Sequence, residues 1–132
     1  MRVPPIPPTQ PTFEGYKSPL KTLYKRNQLP QVKYGFYGER ITPNTVSLEH
    51  LDPISKGGKT ELKNLVLTHK KTNNARSDYP LQDFLKLDKM AKYLEQFKNI
   101  KVGNFDGNKY IAMILETVGG LIKWLNGIQI KI

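Results

Sequence analysis

Two short apolar segments on either side of a polar loop constrain the fold of this chain most strongly. Residues 45–48 (Thr-Val-Ser-Leu) and 64–68 (Asn-Leu-Val-Leu-Thr) are rich in the branched residues that favour β-strands. The loop between them contains Gly57 and Gly58, which favour a turn whatever the function. Residues 70–77 then lose their apolar content, as expected for a short exposed helix. The sequence therefore predicts the order strand, strand, helix.

The segment before these strands is proline-rich and then basic and aromatic. Six of the ten prolines lie in the first 19 residues, so residues 1–14 are predicted to form an extended arm. Such an arm is a spacer, a segment that packs along its own domain, or a binding site for an SH3-like partner. Residues 15–41 alternate basic and aromatic side chains, and residues 32–38 are predicted to form a short strand or hairpin.

The segment after the strands is helical by its apolar spacing. One helix is predicted from Pro80 to near Gly103, and a last helix is predicted over residues 109–126. A turn is expected at residues 106–108, and the pair Gly119-Gly120 suggests a break or close packing in the last helix. The predicted fold is a small α+β domain, with a core at 15–80 and a helical extension at 81–132 packed on it.

Charge and composition narrow the classes of partner. The chain has 132 residues and a formal net charge of +10, with basic residues in excess along its whole length. Nucleic acid is therefore the leading partner. No apolar run approaches the length of about 20 residues that a membrane span requires. The absence of cysteine excludes disulfides and thiolate metal sites, and a cytoplasmic location is expected, in a host cell if the protein is viral.

The adjacent Glu49 and His50 supply the elements of phosphodiester hydrolysis. A neutral imidazole can deprotonate water near neutral pH, and a carboxylate is a hard oxygen ligand for Mg²⁺. Neighbouring side chains on a strand point to opposite sides, so the two can serve one site only if the backbone turns there. The run Leu51-Asp52-Pro53 is typical of such a turn.

These residues belong to a longer pattern that resembles the HNH endonuclease family. After Glu49-His50 come Pro53, Ser-Lys-Gly-Gly at 55–58, Asn-Leu-Val-Leu at 64–67, Asn73 nine residues after Asn64, and Arg76 three residues further on. The resemblance covers roughly residues 46–81. Many phage and mobile-element members and the HNH domains of RNA-guided nucleases have a similar pattern, and the resemblance implies a strand–strand–helix (ββα-metal) core.

The resemblance implies a role for each matching residue. His50 would be the general base, Glu49 and Asn73 the two ligands of one divalent metal ion, and Asn64 a structural brace for the loop. Arg76 would face the phosphate. Mg²⁺ is the expected ion, with Mn²⁺ or another divalent ion as alternatives. Glu49 is Asp in many members, so its ligand distance and metal preference are open.

Two residues compete with these assignments. Asn74 would replace Asn73 as the ligand if the register slipped by one residue. His69 is the only other histidine, but it lies five residues after Asn64, away from the ligand position of the family, and is interpreted as a surface or DNA-proximal residue.

The expected function is a metal-dependent endonuclease that nicks or cuts DNA. Six basic residues are expected to contact phosphates: Lys33, Arg40, Lys56, Lys59, Lys70 and Lys71. The alternative is a catalytically idle HNH-like module that binds nucleic acid within a larger assembly, such as a phage particle. A protein partner could then bind through the Pro-rich arm or the C-terminal helix. No membrane partner is expected.

Overall fold

A computed structural model describes residues 19–122, and the predicted Pro-rich arm at 1–14 lies outside them. The helices are α1 (Pro19–Lys25), α2 (Lys70–Arg76), α3 (Leu87–Glu95) and α4 (Gly107–Ile122), and the strands are β1 (Val46–His50), β2 (Leu65–His69), β3 (Lys101–Val102) and β4 (Phe105–Asp106). Single 3₁₀ turns lie at Ile54–Lys56, Leu62–Asn64 and Leu81–Asp83. The mixture of helices with two small antiparallel sheets is the predicted α+β class.

Strands β1 and β2 form an antiparallel hairpin that leads directly into α2. The register runs from Val46 opposite His69 to His50 opposite Leu65. A two-stranded sheet is at best marginally stable by itself. Here the outer edge of β2 is paired by its surroundings: Phe36 N–H donates to the Leu67 carbonyl at 2.9 Å, and Leu67 N–H donates to the Tyr93 hydroxyl at 3.0 Å.

Two buried tyrosines join the hairpin to the last two helices. The Tyr93 hydroxyl, on α3, lies 2.8 Å from the Tyr110 hydroxyl, on α4, which donates to the Leu65 carbonyl at 2.7 Å. Around them α4 buries a stripe at four-residue spacing: Tyr110, Ile114, Val118 and Ile122. The helices thus cover the hairpin and satisfy its backbone polar groups, which holds β1 and β2 in one position.

The loop between β1 and β2 requires glycine at two positions. Gly57 has φ of 94°, in the left-handed region that other residues rarely adopt. A Cβ on Gly58 would lie 1.7 Å from the Asp52 carbonyl oxygen, which no side chain can tolerate. The loop therefore folds back against the end of β1, which brings residues 59–64 beside Asp52.

The structure differs from the predicted elements in the flanking segments. Helix α1 was not predicted, and residues 32–38 contribute only an isolated bridge between Tyr34 and Arg40. The helix expected from Pro80 is instead a 3₁₀ turn at Leu81–Asp83 followed by α3 from Leu87, and Phe84, between the two, packs against the rings of Tyr37 and Tyr79.

The last helix begins two residues earlier than predicted. Residues 105–106 form β4, so the tight turn lies before them, at Gly103 with φ of 56°. The Asp106 carboxylate then accepts a hydrogen bond from Lys109 N–H at 3.2 Å, which caps the start of α4. Gly119 and Gly120 neither break this helix nor pack closely, since a Cβ on either would meet nothing within 4 Å. The predicted end at 126 lies outside the described residues.

Candidate functional site

Glu49 lies in the interior beside Arg76. The two residues are 2% and 1% exposed, and Arg76 Nη1 donates to Glu49 Oε2 at 2.9 Å. Ser47 and Glu49 lie two residues apart on β1 and both contact α2, since Asn73 donates to Ser47 Oγ and Arg76 donates to Glu49. A buried ion pair therefore joins β1 to α2.

Arg76, which the resemblance assigns to the phosphate, points into the protein in this structure. Its other hydrogen bonds all go to backbone carbonyls: Nη1 to His50 at 3.1 Å, Nη2 to Leu51 at 2.7 Å and Nε to Tyr79 at 2.9 Å. A guanidinium has five N–H donors, and four of them are used internally. Arg76 therefore fixes the end of β1 and the exit from α2 and is not available to a ligand in solution.

The Glu49 carboxylate has one satisfied oxygen and one unsatisfied oxygen. The Tyr37 hydroxyl donates to Oε2, the same oxygen that Arg76 contacts. Oε1 is buried and has no hydrogen-bond partner among the described residues. Burial raises the pKa of the Glu49 carboxyl above its ordinary value, against the hydrogen bonds from Tyr37 and Arg76, which stabilise the charged form. Burial also raises the pKa of Tyr37, so this hydroxyl remains a donor.

His50 has a different environment from its neighbour. Its side chain is half-buried, and its Nε2 lies 2.9 Å from the hydroxyl of Thr60, in the loop between the strands. Burial lowers the pKa of His50 below its ordinary value, because the charged imidazolium loses solvation. The ring is therefore held in one orientation and favours the neutral form, which is the form that can accept a proton.

Asn64 is a brace for this loop, in the position where the sequence pattern placed one. Its side-chain oxygen accepts from Asp52 N–H at 2.8 Å, and its amide nitrogen donates to the carbonyls of Asp52 at 3.1 Å and Lys59 at 2.9 Å. Asp52 follows His50 by two residues, and Lys59 immediately precedes Thr60. One buried side chain thus fixes the backbone on both sides of the His50–Thr60 contact.

Asn73 lies on α2 against the hairpin and borders open surface. Its amide nitrogen donates to Ser47 Oγ at 2.7 Å, and its side-chain oxygen has no hydrogen-bond partner among residues 19–122. Together with the loop after β1, it lines an open pocket of 470 Å³. Asn74 lines the same pocket but is more exposed and makes no side-chain hydrogen bond to the hairpin within residues 19–122, so the position of Asn73 is the more fixed of the two.

His69 has a structural role that its sequence position did not reveal. Its Nδ1 accepts a hydrogen bond from Lys71 N–H at 3.0 Å, so its side chain caps the start of α2.

The six basic residues predicted to contact phosphates are all exposed: Lys33, Arg40, Lys56, Lys59, Lys70 and Lys71. Arg40 is also placed over the ring of Tyr34, with its guanidinium carbon 5.7 Å from the ring centroid.

Two contributors to the site were not found from the sequence. Tyr37 was assigned only to a basic and aromatic segment, and Thr60 to a polar loop. Neither has a spacing that relates it to Glu49 or His50, since both contacts depend on how the hairpin and its loop close in space.

No group of three or more His, Cys, Asp or Glu side chains that could hold a metal ion occurs among residues 19–122. Within that same range, no helix is long and apolar enough to cross a membrane. Comparison with protein-family models, with curated protein sequences and with solved structures gave no match in any of the three cases.

Proposed function

We propose that this protein is a divalent-metal-dependent endonuclease of the HNH type that hydrolyses DNA phosphodiester bonds. The observation that carries the proposal is the arrangement of β1, β2 and α2. His50 ends β1 with its ring hydrogen-bonded to Thr60, Asn64 braces the backbone around that contact, and Asn73 lies on the helix that packs against the same strand. Exposed lysines on the loop and at the start of α2 supply positive charge beside it.

The chemistry assigned to the chain is proton transfer and positioning. His50 accepts a proton from water as the water oxygen bonds to phosphorus, and the bond from phosphorus to the 3′-oxygen breaks. The lowered pKa of His50 keeps the imidazole neutral near neutral pH. The exposed side chains of Lys56, Lys59 and Lys70 offset the charge of the DNA backbone without selecting a sequence.

In this proposal a single divalent metal ion has two protein ligands, Glu49 and Asn73. Oε1 of Glu49 is a buried carboxylate oxygen without a partner, and the side-chain oxygen of Asn73 is also unpaired among the described residues. Oxygen donors of this kind, with water completing the shell, suit Mg²⁺ or Mn²⁺. When bound, such an ion would offset the charge that develops on the phosphate and the leaving oxygen.

Supercoiled plasmid tests this proposal directly. The purified protein is expected to convert it to relaxed or linear forms in Mg²⁺ or Mn²⁺, and EDTA is expected to stop the conversion. Asn73→Ala is expected to raise the metal concentration needed for half-maximal cleavage, with Asn74→Ala as the matched control. Binding of the plasmid without any cleavage in either metal would overturn the proposal.

The Glu49–Arg76 pair favours a second candidate function. One carboxylate oxygen is already neutralised inside the protein by a fixed cation, which also repels a metal ion nearby. A domain that had exchanged its metal ligand for an internal ion pair would be a catalytically idle nucleic-acid-binding module. In that case the protein binds DNA with a steep salt dependence and does not cut it.

A further inference from the structure

The side chain of Thr60 contacts the proposed base and has no role in the proposed function so far. Its hydroxyl lies 2.9 Å from Nε2 of His50 and has no other hydrogen-bond partner among the described residues. Nδ1 of the same ring has none within residues 19–122. One ring nitrogen is therefore occupied and the other is free.

The direction of this hydrogen bond follows from what each group can do. A hydroxyl can donate or accept, whereas an imidazole that has gained a proton carries N–H on both nitrogens and can only donate. If Nε2–H donates to Thr60, the contact persists when the ring takes up a proton. If the Thr60 hydroxyl donated to Nε2 instead, the donor and the acceptor would have to exchange when the ring takes up a proton. Because Thr60 is exposed, its hydroxyl can donate its proton to a water molecule.

The loop holds Thr60 in place independently of His50. Asn64 donates to the carbonyl of Lys59, the residue before Thr60, at 2.9 Å, and the neighbouring turn requires Gly57 and Gly58. The loop backbone beside Thr60 is therefore held by contacts that do not involve His50.

We propose that Thr60 is a positioning residue that accepts a hydrogen bond from Nε2–H of His50, so that Nδ1 is the nitrogen that takes the proton from water. This inference rests on the proposed function for its catalytic meaning. Its structural part, the choice of tautomer, stands without any cleavage. A chain with two histidines allows that part to be measured directly.

The experiment uses the full-length, ¹⁵N-labelled chain with His69→Asn, since asparagine is a good helix cap and its introduction leaves His50 as the only imidazole. The nitrogen signals of the ring distinguish N–H from a lone pair at each position. Recorded without metal at a pH where the ring is neutral, they are expected to show the Nε2–H form. Thr60→Val, which removes the hydroxyl at nearly constant volume, is expected to shift the tautomer ratio by about 2- to 10-fold, the worth of one neutral hydrogen bond.

Thr60→Ser is the matched variant, because it retains the hydroxyl and should restore the tautomer ratio of the parent. In plasmid cleavage, Thr60→Val is expected to lower the rate by a similar factor and Thr60→Ser to recover it. A predominant Nδ1–H form in the parent, or a tautomer ratio unchanged by Thr60→Val, would overturn the inference. A separate outcome is that the parent shows the Nε2–H form and Thr60→Val shifts the tautomer ratio while neither the parent nor its variants cleave DNA. In that case the proposed function fails and the positioning contact stands.

Discussion

Glu49 and His50 are neighbours in the chain but have opposite environments. Glu49 points towards α2, where Arg76 and Tyr37 bind one of its oxygens and solvent is excluded. His50 is half-buried and makes one side-chain hydrogen bond, to a hydroxyl on an exposed loop. The last two residues of β1 therefore have different roles in the account. The inward side chain joins the hairpin to the helix through one oxygen and keeps the other for the proposed metal ion, and the outward side chain is the proposed base.

The largest expected effect is a loss of stability when Arg76, the partner of the inward Glu49, is replaced. Arg76→Ala leaves a buried carboxylate without its cation and three backbone carbonyls without their donors, so it should lower the free energy of unfolding by about 3–5 kcal/mol. Urea denaturation measures this change. Lys71→Ala, on the exposed surface of the same helix, is the control and should have little effect. Loss of cleavage by Arg76→Ala with unchanged stability would instead support a direct phosphate contact.

A smaller effect is expected from the loop that supports the outward side. Asn64→Ala removes three hydrogen bonds and leaves buried backbone groups unpaired, which should cost about 1–3 kcal/mol of stability. Thermal or urea unfolding measures the loss, and the exposed Asn74→Ala is the matched control. Because the loop carries Thr60, cleavage should fall as well. A fully stable Asn64→Ala protein would show that the loop does not depend on this brace.

The smallest expected effect is a shift of the acidic limb of the pH–rate profile of cleavage to lower pH. With His50 as the proposed base, cleavage requires its neutral form, so the rate should fall as pH decreases through the pKa of this group in the folded protein. Burial lowers that pKa, so the acidic limb should lie below the ordinary histidine value of about 6.5. A pH–rate profile over the acidic range at saturating metal measures it. A limb at or above the ordinary value would contradict the half-buried environment of the ring.

The sequence predicted the parts of the site that depend on local pattern. The two strands, the glycine turn and the polar helix all follow from residue type and spacing, and Asn64 was correctly interpreted as a brace for the loop. The inward orientation of Arg76 could not be predicted, because the resemblance indicates position along a helix but not which way a long side chain points once the helix is packed.

The remaining differences have the same origin. Tyr37 and Thr60 meet Glu49 and His50 across 12 and 10 residues, through closure of the chain that no short pattern describes. Helix α3 starts later than its apolar spacing suggests, and Phe84 before it packs against Tyr37 and Tyr79, contacts that lie outside the local pattern. The flanking segments were therefore harder to predict than the hairpin.

The most direct test of His50 as the reactive side chain at the end of β1 is to compare plasmid cleavage by His50→Ala and His69→Asn. The chain has two histidines, and the structure gives the second only a helix-capping role, which asparagine can supply. His50→Ala should lower the cleavage rate by about 10²–10⁴-fold, the usual worth of a general base, while DNA binding is largely retained. His69→Asn should cleave at close to the original rate. Cleavage by His50→Ala at the rate of the unmodified protein would contradict the assignment of His50 as the base.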